Sequence, residues 1–298
     1  MIVGSFLFAL MGVCVKYAAV SFNSAELIFY RGLISIVLLG GFARLKAIPL
    51  RTRFPAMHAW RSLIGVVAMG LWFYSIVHLP LATANALNYM SSIWIALFLI
   101  GGALMTWIPG QGNRRIPING ALVLSVVAGF GGVLLLLRPE LPAGELFAGI
   151  IGLLSGLLAA FAYMQVVALS KVGESELRTV FYFAVGSLVG GAGWMFFTGV
   201  SEWVWSSAVW LLPIGVLAAL GQWCITRAYA DSGSHSATLV VANLQYSGIL
   251  FSAVLGIVLF AEHISVPGWL GIAAIIGSGI AATLTRIRIG PATPGEER

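Results

Sequence analysis

The sequence contains very little charge. Only 9% of its 298 residues are Asp, Glu, Lys or Arg, whereas soluble globular domains carry roughly 25%. Hydrophobic residues make up 60% of the chain, so polar side chains are too few to cover a surface that faces water. The scarcity of charge therefore excludes an ordinary soluble domain and predicts a protein whose solvent is lipid.

Reactive side chains are also scarce, with two cysteines and four histidines. Cys14 and Cys224 lie inside apolar runs, as expected of small packing residues rather than of a disulfide framework. The histidines are too far apart in sequence to form a local metal motif, and neither a G-x-x-x-x-G-K-[ST] loop nor an H-E-x-x-H motif occurs. The sequence thus indicates no metal site, no cofactor and no ATP-hydrolysing domain.

Long apolar segments fill most of the chain. A bilayer core about 30 Å thick requires roughly 20 apolar residues in a spanning helix, and Pro, Gly, Asn and charged residues separate the segments that qualify. We therefore predict an all-α integral membrane protein with ten transmembrane helices. The segments are Met1–Val20, Ala25–Phe42, Ser62–Val77, Leu81–Thr106, Ile116–Leu137, Leu146–Leu169, Thr179–Val200, Ala208–Ala230, Ser236–Ala261 and Val266–Leu284.

The basic residues between these segments predict the orientation. Nearly all of them, including Arg53, Arg61 and Arg178, fall on one side of the membrane, and the other side receives only Arg138. Because Lys-rich and Arg-rich loops stay in the cytoplasm, both termini should be cytoplasmic in a multi-pass protein of the cell inner membrane. The net charge of +6 is then a topology signal and does not indicate nucleic acid. No cleavable signal peptide is evident at Met1.

The two halves of the chain resemble each other. Tyr74, Ala82-Thr83, Asn88 and Ser92 match residues at a constant offset of 155, and Pro117 and Gly129 match residues at an offset of 150. Five helices per half is an odd number, so the second half must be inserted upside down, as in many secondary transporters. We predict two inverted five-helix repeats at residues 1–138 and 145–287, followed by a disordered cytoplasmic tail at 288–298.

Several motifs resemble the EamA-type branch of the drug/metabolite transporter superfamily. They are the run Ser5–Lys16, Arg31, the stretch Tyr74–Asn88, and Phe260-Ala261-Glu262 followed by Pro267-Gly268-Trp269-Leu270-Gly271. The resemblance spans the whole chain and implies ten helices in two repeats and the export or uptake of small metabolites such as amino acids and their derivatives. One departure is visible, because Met105-Thr106-Trp107 in the first half has no acidic counterpart of Glu262.

Polar side chains within the fourth and ninth helices are the first candidates for a binding site, because polar groups are costly in a bilayer. Asn85, Asn88 and Ser92 are spaced by three and four residues and so share one helical face. Asn243 and Tyr246 lie in the repeat-related ninth helix. The two faces could line a shared central cavity, or the amides could instead join helices through hydrogen bonds.

Aromatic and amide residues of other helices extend this hypothesis. Tyr74 and Tyr229 occupy matching places in the third and eighth helices, and Gln222 precedes Tyr229. Tyr74 lies only four residues from His78, so it is equally suited to anchoring the helix at the interface. Tyr163 and Gln165 are in the middle of the sixth helix. A cavity of aromatic rings and amides would suit a zwitterionic or polar organic molecule.

Charged residues within the spans allow two interpretations. Lys16 and Arg31 could attract an anionic group of a substrate, or they could snorkel to the interface or pair with Glu26. Asp, Glu and His residues all fall near predicted helix ends, which argues against a carboxylate-based proton antiporter. Facilitated diffusion, or coupling to a proton or ion through a group at a helix end, remains open.

The sequence therefore predicts a secondary transporter, either an exporter or an uptake carrier, of a small polar metabolite. An amino acid or an amino-acid derivative is the favoured substrate, and the two halves would alternate in access to the two sides of the membrane. The predicted partners are this substrate, the lipid bilayer and a possible coupling proton or ion. The alternatives are a non-catalytic membrane scaffold or assembly protein and, less favoured, a membrane-embedded enzyme, for which no clustered acid–base or nucleophilic residues are present. A functional monomer is expected.

Overall fold

The structure is a computed structural model, and it describes residues 1–98 except 96, a few positions between 124 and 135, residues 143–232 and residues 235–288. All regular structure in these ranges is helical. Most of the fifth predicted helix, residues 99–106 of the fourth, Arg138 and residues 289–298 of the predicted tail lie outside the described residues. The helices are α1 (Ile2–Ala18), α2 (Ser24–Leu45), α3 (Pro55–His78), α4 (Leu81–Tyr89), α5 (Ala143–Lys171), α6 (Glu176–Thr198), α7 (Trp205–Ala208), α8 (Leu211–Ala230), α9 (His235–Leu244), α10 (Ser247–Phe260) and α11 (Val266–Arg288).

Six helical stretches in the described part of the chain are long and apolar enough to cross a membrane. Two shorter apolar helices, Ile2–Ala18 and Val266–Ser278, accompany them. The α-helical membrane architecture expected from the sequence is thus confirmed, while the full number of ten helices stays a prediction. The six stretches are Ser24–Leu45, Pro55–His78, Glu145–Lys171, Glu176–Thr198, Trp205–Ala230 and Val240–Phe260.

Local sequence determines where several helices begin and end. Asn23 accepts a hydrogen bond from the Glu26 backbone while the Glu26 side chain accepts one from the Asn23 backbone, a capping box that begins α2. Pro55 occupies the first turn of α3, where its missing N–H costs nothing. The third helix therefore begins seven residues before the predicted Ser62, and Arg61 lies inside it instead of at its edge.

The fourth and ninth predicted helices are each interrupted. α4 ends at Tyr89 and helical structure resumes at Ser91, and α9 ends at Leu244 before α10 begins at Ser247. The two breaks are about 155 residues apart, the offset of the sequence repeat. Interrupted helices within a membrane are tolerated where the freed backbone groups are buried in protein or line a cavity.

The bundle packs around a core to which both halves of the chain contribute. α2 packs against α6, α3 against α5, and α1 against α8. Large apolar side chains on the outside, such as Phe196 and Phe197, are more than four-fifths exposed, as suits helices that face lipid. Gly156 of α5 lies against the carbonyl oxygens of Leu87 and Asn88, so α5 and α4 approach closely because no side chain separates them.

Candidate substrate cavity

Two arginines are buried side by side within the bundle. Arg31 of α2 is 3% exposed and Arg61 of α3 is 2% exposed. Their guanidinium carbons lie 5.0 Å and 4.0 Å from the centre of the Phe183 ring of α6, a distance at which cation–π attraction is favourable. Arg31 also donates a hydrogen bond from Nη1 to Ser187 Oγ at 3.2 Å. Both guanidinium groups therefore contact the same aromatic ring.

Neither arginine forms a salt bridge with a carboxylate of the described residues. The Nε atoms of both arginines and Nη1 of Arg61 are buried without a hydrogen-bond partner in that part of the chain. Burying a charge without a partner is costly, and a guanidinium presents its donors in a fork that matches a carboxylate or phosphate. This arrangement is suited to binding an anionic group.

The two arginines face a small cavity of about 60 Å³ between the halves of the chain. Its walls combine aromatic rings, which offer stacking surfaces, with amide and hydroxyl groups, which offer hydrogen bonds. They come from α1, α2, α3, α4, α5, α6 and α8. The polar and aromatic lining residues are Phe8, Arg31, Arg61, Trp72, Asn88, Tyr89, Tyr163, Phe183 and Gln222.

Four residues proposed from the sequence lie in the cavity wall, namely Arg31, Asn88, Tyr163 and Gln222. Asn88 donates from Nδ2 to Ser155 Oγ at 2.9 Å, and Gln222 donates from Nε2 to Thr226 Oγ1 at 3.4 Å. Each contact holds one end of the amide. The Tyr163 ring stacks on Tyr229, with ring centres 4.9 Å apart, so Tyr229 supports the wall from behind.

Other proposed residues join helices around the cavity. Asn85 accepts a hydrogen bond from Trp72 Nε1 at 2.9 Å and donates one to Ser252 Oγ, which links α4 to α10. Ser92 donates to the carbonyl oxygen of Ala242 at 2.7 Å. Tyr246 is buried. At Asn85 and Ser92 the interhelical interpretation left open by the sequence describes the observed contacts.

The remaining proposed residues lie outside the cavity wall. Tyr74 stacks on His78 near the end of α3, with ring centres 4.1 Å apart, while Gln165 and Asn243 are half-buried. Lys16 pairs with Glu262. Glu26 pairs with neither Lys16 nor Arg31, because its carboxylate accepts hydrogen bonds from Asn23 and Ser201.

Five of the polar and aromatic lining residues were not proposed from the sequence, namely Phe8, Arg61, Trp72, Tyr89 and Phe183. Arg61 was counted among the charges that set orientation. The signal was present in Pro55, which favours a helix start well before Ser62 and so places Arg61 in the second turn. A second polar group near this end was also not foreseen. Glu174 lies 3.4 Å from His58 and 3.2 Å from Arg178, and it accepts a hydrogen bond from Thr52 at 2.9 Å.

Among the residues that the structure describes, no three His, Cys, Asp or Glu side chains are grouped closely enough to hold a metal ion. Cys14 and Cys224 are both free thiols. Together, the apolar helices and the polar cavity between them define a multi-pass α-helical membrane protein with two buried arginines at an internal cavity.

Comparison with known proteins narrows this class to a family of transporters. The pseudopaline exporter CntI of Pseudomonas aeruginosa (strain UCBPP-PA14) is 32% identical over 298 residues, which cover 96% of this chain and 95% of the exporter. An uncharacterized transporter of Helicobacter pylori (strain J99 / ATCC 700824) is 28% identical and covers 93% of this chain and 91% of its own. The chain belongs to the family of the pseudopaline exporter CntI, and the membrane transporter expected from the sequence is confirmed at this level.

No protein-family model matches the chain. A solved crystal structure that is 16% identical covers 97% of this chain and 96% of its own, with a TM-score of 0.67. At that identity the likeness shows the fold alone.

Proposed function

We propose that this protein exports a small metabolite bearing a carboxylate, an amino acid or amino-acid derivative, across the cell inner membrane. The observation that carries the proposal is the burial of Arg31 and Arg61, without carboxylate partners among the described residues, in the wall of one cavity. Export is favoured over uptake because the relatives that are 32% identical are named as exporters. Those relatives are named for pseudopaline, which makes that compound the first to test.

The chemistry of the cavity suits such a substrate. A carboxylate would replace the missing partners of the two guanidinium groups through paired N–H donors. The amides of Asn88 and Gln222 would orient the polar remainder of the molecule, and Trp72 and Tyr163 offer aromatic faces for an ammonium group. The anion binds where water is scarce, so each of these interactions is stronger than at a protein surface.

We further propose that the ten-helix, two-repeat architecture of the EamA-type drug/metabolite transporters underlies the movement, with both termini cytoplasmic. The cavity lies between the two halves, and the interrupted helices α4 and α9–α10 meet beside it, which supports alternating access by rocking of one half against the other. A monomer would contain the complete pathway.

A coupling proton or ion would bind outside the cavity, because no Asp, Glu or His is among its described lining residues. The acidic residues of the described helices contact other groups at helix ends, as Glu26, Glu174 and Glu262 do. The pair His58 and Glu174, at the predicted cytoplasmic end, is the best-placed site for a proton.

The test is the thermal stability of the purified, detergent-solubilised protein with pseudopaline and with panels of amino acids, amino-acid derivatives, nucleosides and organic acids. A ligand that binds only the folded state at a hundredfold excess over Kd adds about 2.7 kcal/mol of stability. We expect a shift with a carboxylate-bearing class and its loss in Arg31→Gln and Arg61→Gln. Arg227→Gln is the control, since this arginine lies at the end of α8 with a side chain 69% exposed.

Two results would contradict the proposal. One is a shift that survives both cavity substitutions. The other is the absence of any shift together with the absence of flux of the same compounds in proteoliposomes, which would favour the scaffold alternative.

A further inference from the structure

The carboxylate of Glu262 connects three helices at one end of the bundle. It forms an ion pair with Lys16 in the last turn of α1, and its Oε2 accepts a hydrogen bond of 2.8 Å from the backbone N–H of Leu81, the first residue of α4. Glu262 itself follows α10. One side chain of the second half of the chain therefore holds two helices of the first half.

The backbone around Glu262 directs the carboxylate toward these partners. α10 ends at Phe260, and the next residue, Ala261, adopts the left-handed conformation with φ of 49°. The N–H of Glu262 then donates back to the carbonyl oxygen of Gly256 at 3.1 Å. The side chain then folds against α10 at Gly256, where any Cβ atom would overlap Oε2. Gly256 and the left-handed residue thus fix a single direction for the carboxylate.

Glu262 gives the Leu81 N–H a partner that the neighbouring sequence does not supply. Leu81 N–H is an orphan donor at the N-terminus of α4, where the helix dipole favours a negative charge. Pro80 precedes it and has no side chain that can cap the helix. The Lys16 ammonium lies 5.0 Å from the centre of the Phe260 ring. Tyr17 beside it stacks on Trp210, with ring centres 4.8 Å apart.

This connection lies about two helical turns beyond the cavity along α1. Phe8, Gly12 and Lys16 follow one stripe of α1 at helical spacing. Phe8 lines the cavity, Gly12 faces the side chain of Leu81, and Lys16 reaches Glu262. A path from the cavity to the outside along α1 is therefore closed at Leu81 and Glu262. By the predicted orientation, this is the periplasmic end.

We propose that Glu262 is the positioning residue of an outer gate, and that the cavity opens to the periplasm when its carboxylate releases Lys16 and Leu81. The gate is one-sided, because the repeat-related position at an offset of 155 is Trp107 and carries no acid. This inference rests on the proposed transport function, although its structural part can be measured without a substrate.

The experiment measures access to the space behind the gate. Ala84, one turn into α4 and fully buried, is replaced by cysteine in a chain carrying Cys14→Ala and Cys224→Ala. Labelling by a charged thiol reagent is followed in lipid nanodiscs, where both faces are reachable. We expect little labelling in this parent and at least a tenfold faster rate in Glu262→Gln. Lys16→Met should give a smaller increase, because it leaves the Leu81 hydrogen bond in place. Glu202→Gln, an exposed acid near the same end of the bundle, should leave the rate unchanged.

Equal labelling of the parent and Glu262→Gln would overturn the gate, and so would an equal increase in Glu202→Gln, which would indicate general loosening. Thermal melting and gel filtration of each variant identify unfolding. Flux of pseudopaline in proteoliposomes separates the two proposals. A parent that neither transports nor binds any compound contradicts the proposed function, whereas a transporting parent with unresponsive labelling contradicts only the gate.

Discussion

Inside the membrane-type helix bundle, the guanidinium of Arg61 lies against the ring of Phe183, with 4.0 Å between its central carbon and the ring centre. Arg31 shares the same ring from a neighbouring helix, at 5.0 Å. Two cations repel each other, so their contact with the same aromatic ring is understandable if the ring and an anionic ligand together offset the repulsion.

The first prediction concerns the geometry of this cation. Arg61→Lys keeps the positive charge but loses the planar fork and its stacking on Phe183. We expect flux in proteoliposomes to fall at least tenfold, which corresponds to about 1.4 kcal/mol, while the protein stays folded. Arg227→Lys serves as the control, because that arginine lies outside the cavity and pairs with the exposed Asp231. Normal flux in Arg61→Lys would show that charge alone suffices.

Asn85 and Asn88 should respond differently to alanine, although they lie one turn apart on α4. Asn85 is bonded to both Trp72 and Ser252. Asn85→Ala therefore leaves the Trp72 Nε1–H group buried without its acceptor, although Ser252 still donates to the carbonyl oxygen of Gly248, and should cost about 1–3 kcal/mol of stability. Asn88 lines the cavity, so Asn88→Ala should abolish the ligand-induced thermal shift. Melting temperatures of both variants, each with and without ligand, give the comparison. The assignment of roles would be wrong if Asn85→Ala, rather than Asn88→Ala, removed the ligand response.

The sequence predicted the helical architecture better than the cavity. Apolar length alone located the segments, because a bilayer demands it, and nine of the ten overlap a helix whose bounds the structure gives. Spacing placed Asn85 and Asn88 on one helical face, but the cavity wall holds Asn88 and excludes Asn85. Which neighbour an amide meets depends on the packing of helices distant in sequence, such as Ser252 at Asn85. Arg61 was missed because a basic residue near a helix start has the same sequence pattern whether it marks topology or lines a cavity.

The orientation can be tested with reporter fusions. Because nearly all loop arginines and lysines fall on one side in the ten-helix arrangement, fusions after Arg53, Glu145 and Arg298 should read cytoplasmic, periplasmic and cytoplasmic. A reporter that is active only in the periplasm should be active at Glu145 alone, and a reporter that is active only in the cytoplasm should be active at Arg53 and Arg298 alone. A periplasmic result at Arg298 would contradict an even number of spans.

Replacing Ala261 by glycine should stabilise the folded protein. Its φ of 49° lies in the left-handed region, which costs an L-residue roughly 1–2 kcal/mol relative to glycine. Ala261→Gly is therefore expected to raise the free energy of unfolding by about 1 kcal/mol and to leave Glu262 in place. Ala19, which follows α1 in the right-handed conformation with φ of −67°, is the matched control, and Ala19→Gly should be neutral or destabilising. Thermal melting in the same detergent compares them, and a destabilised Ala261→Gly would refute the strain.

The close approach of α5 to α4 gives the last prediction. A Cβ atom on Gly156 would lie 2.6 Å from the carbonyl oxygen of Leu87 and 2.8 Å from that of Asn88. These are backbone atoms and cannot rotate away, so Gly156→Ala must push the two helices apart, at a cost of about 1–3 kcal/mol. Because Asn88 lines the cavity, the same shift should weaken the ligand-induced stabilisation.

Gly193 of α6 supplies the control, because no atom lies within 4 Å of its added Cβ. Gly193→Ala should be neutral or stabilising by up to about 1 kcal/mol, since alanine is the better helix former. Melting of the two variants with and without ligand separates the packing cost from the loss of binding. If Gly156→Ala melts like Gly193→Ala and keeps its ligand response, then the contact between α5 and α4 does not hold Asn88 in the cavity wall.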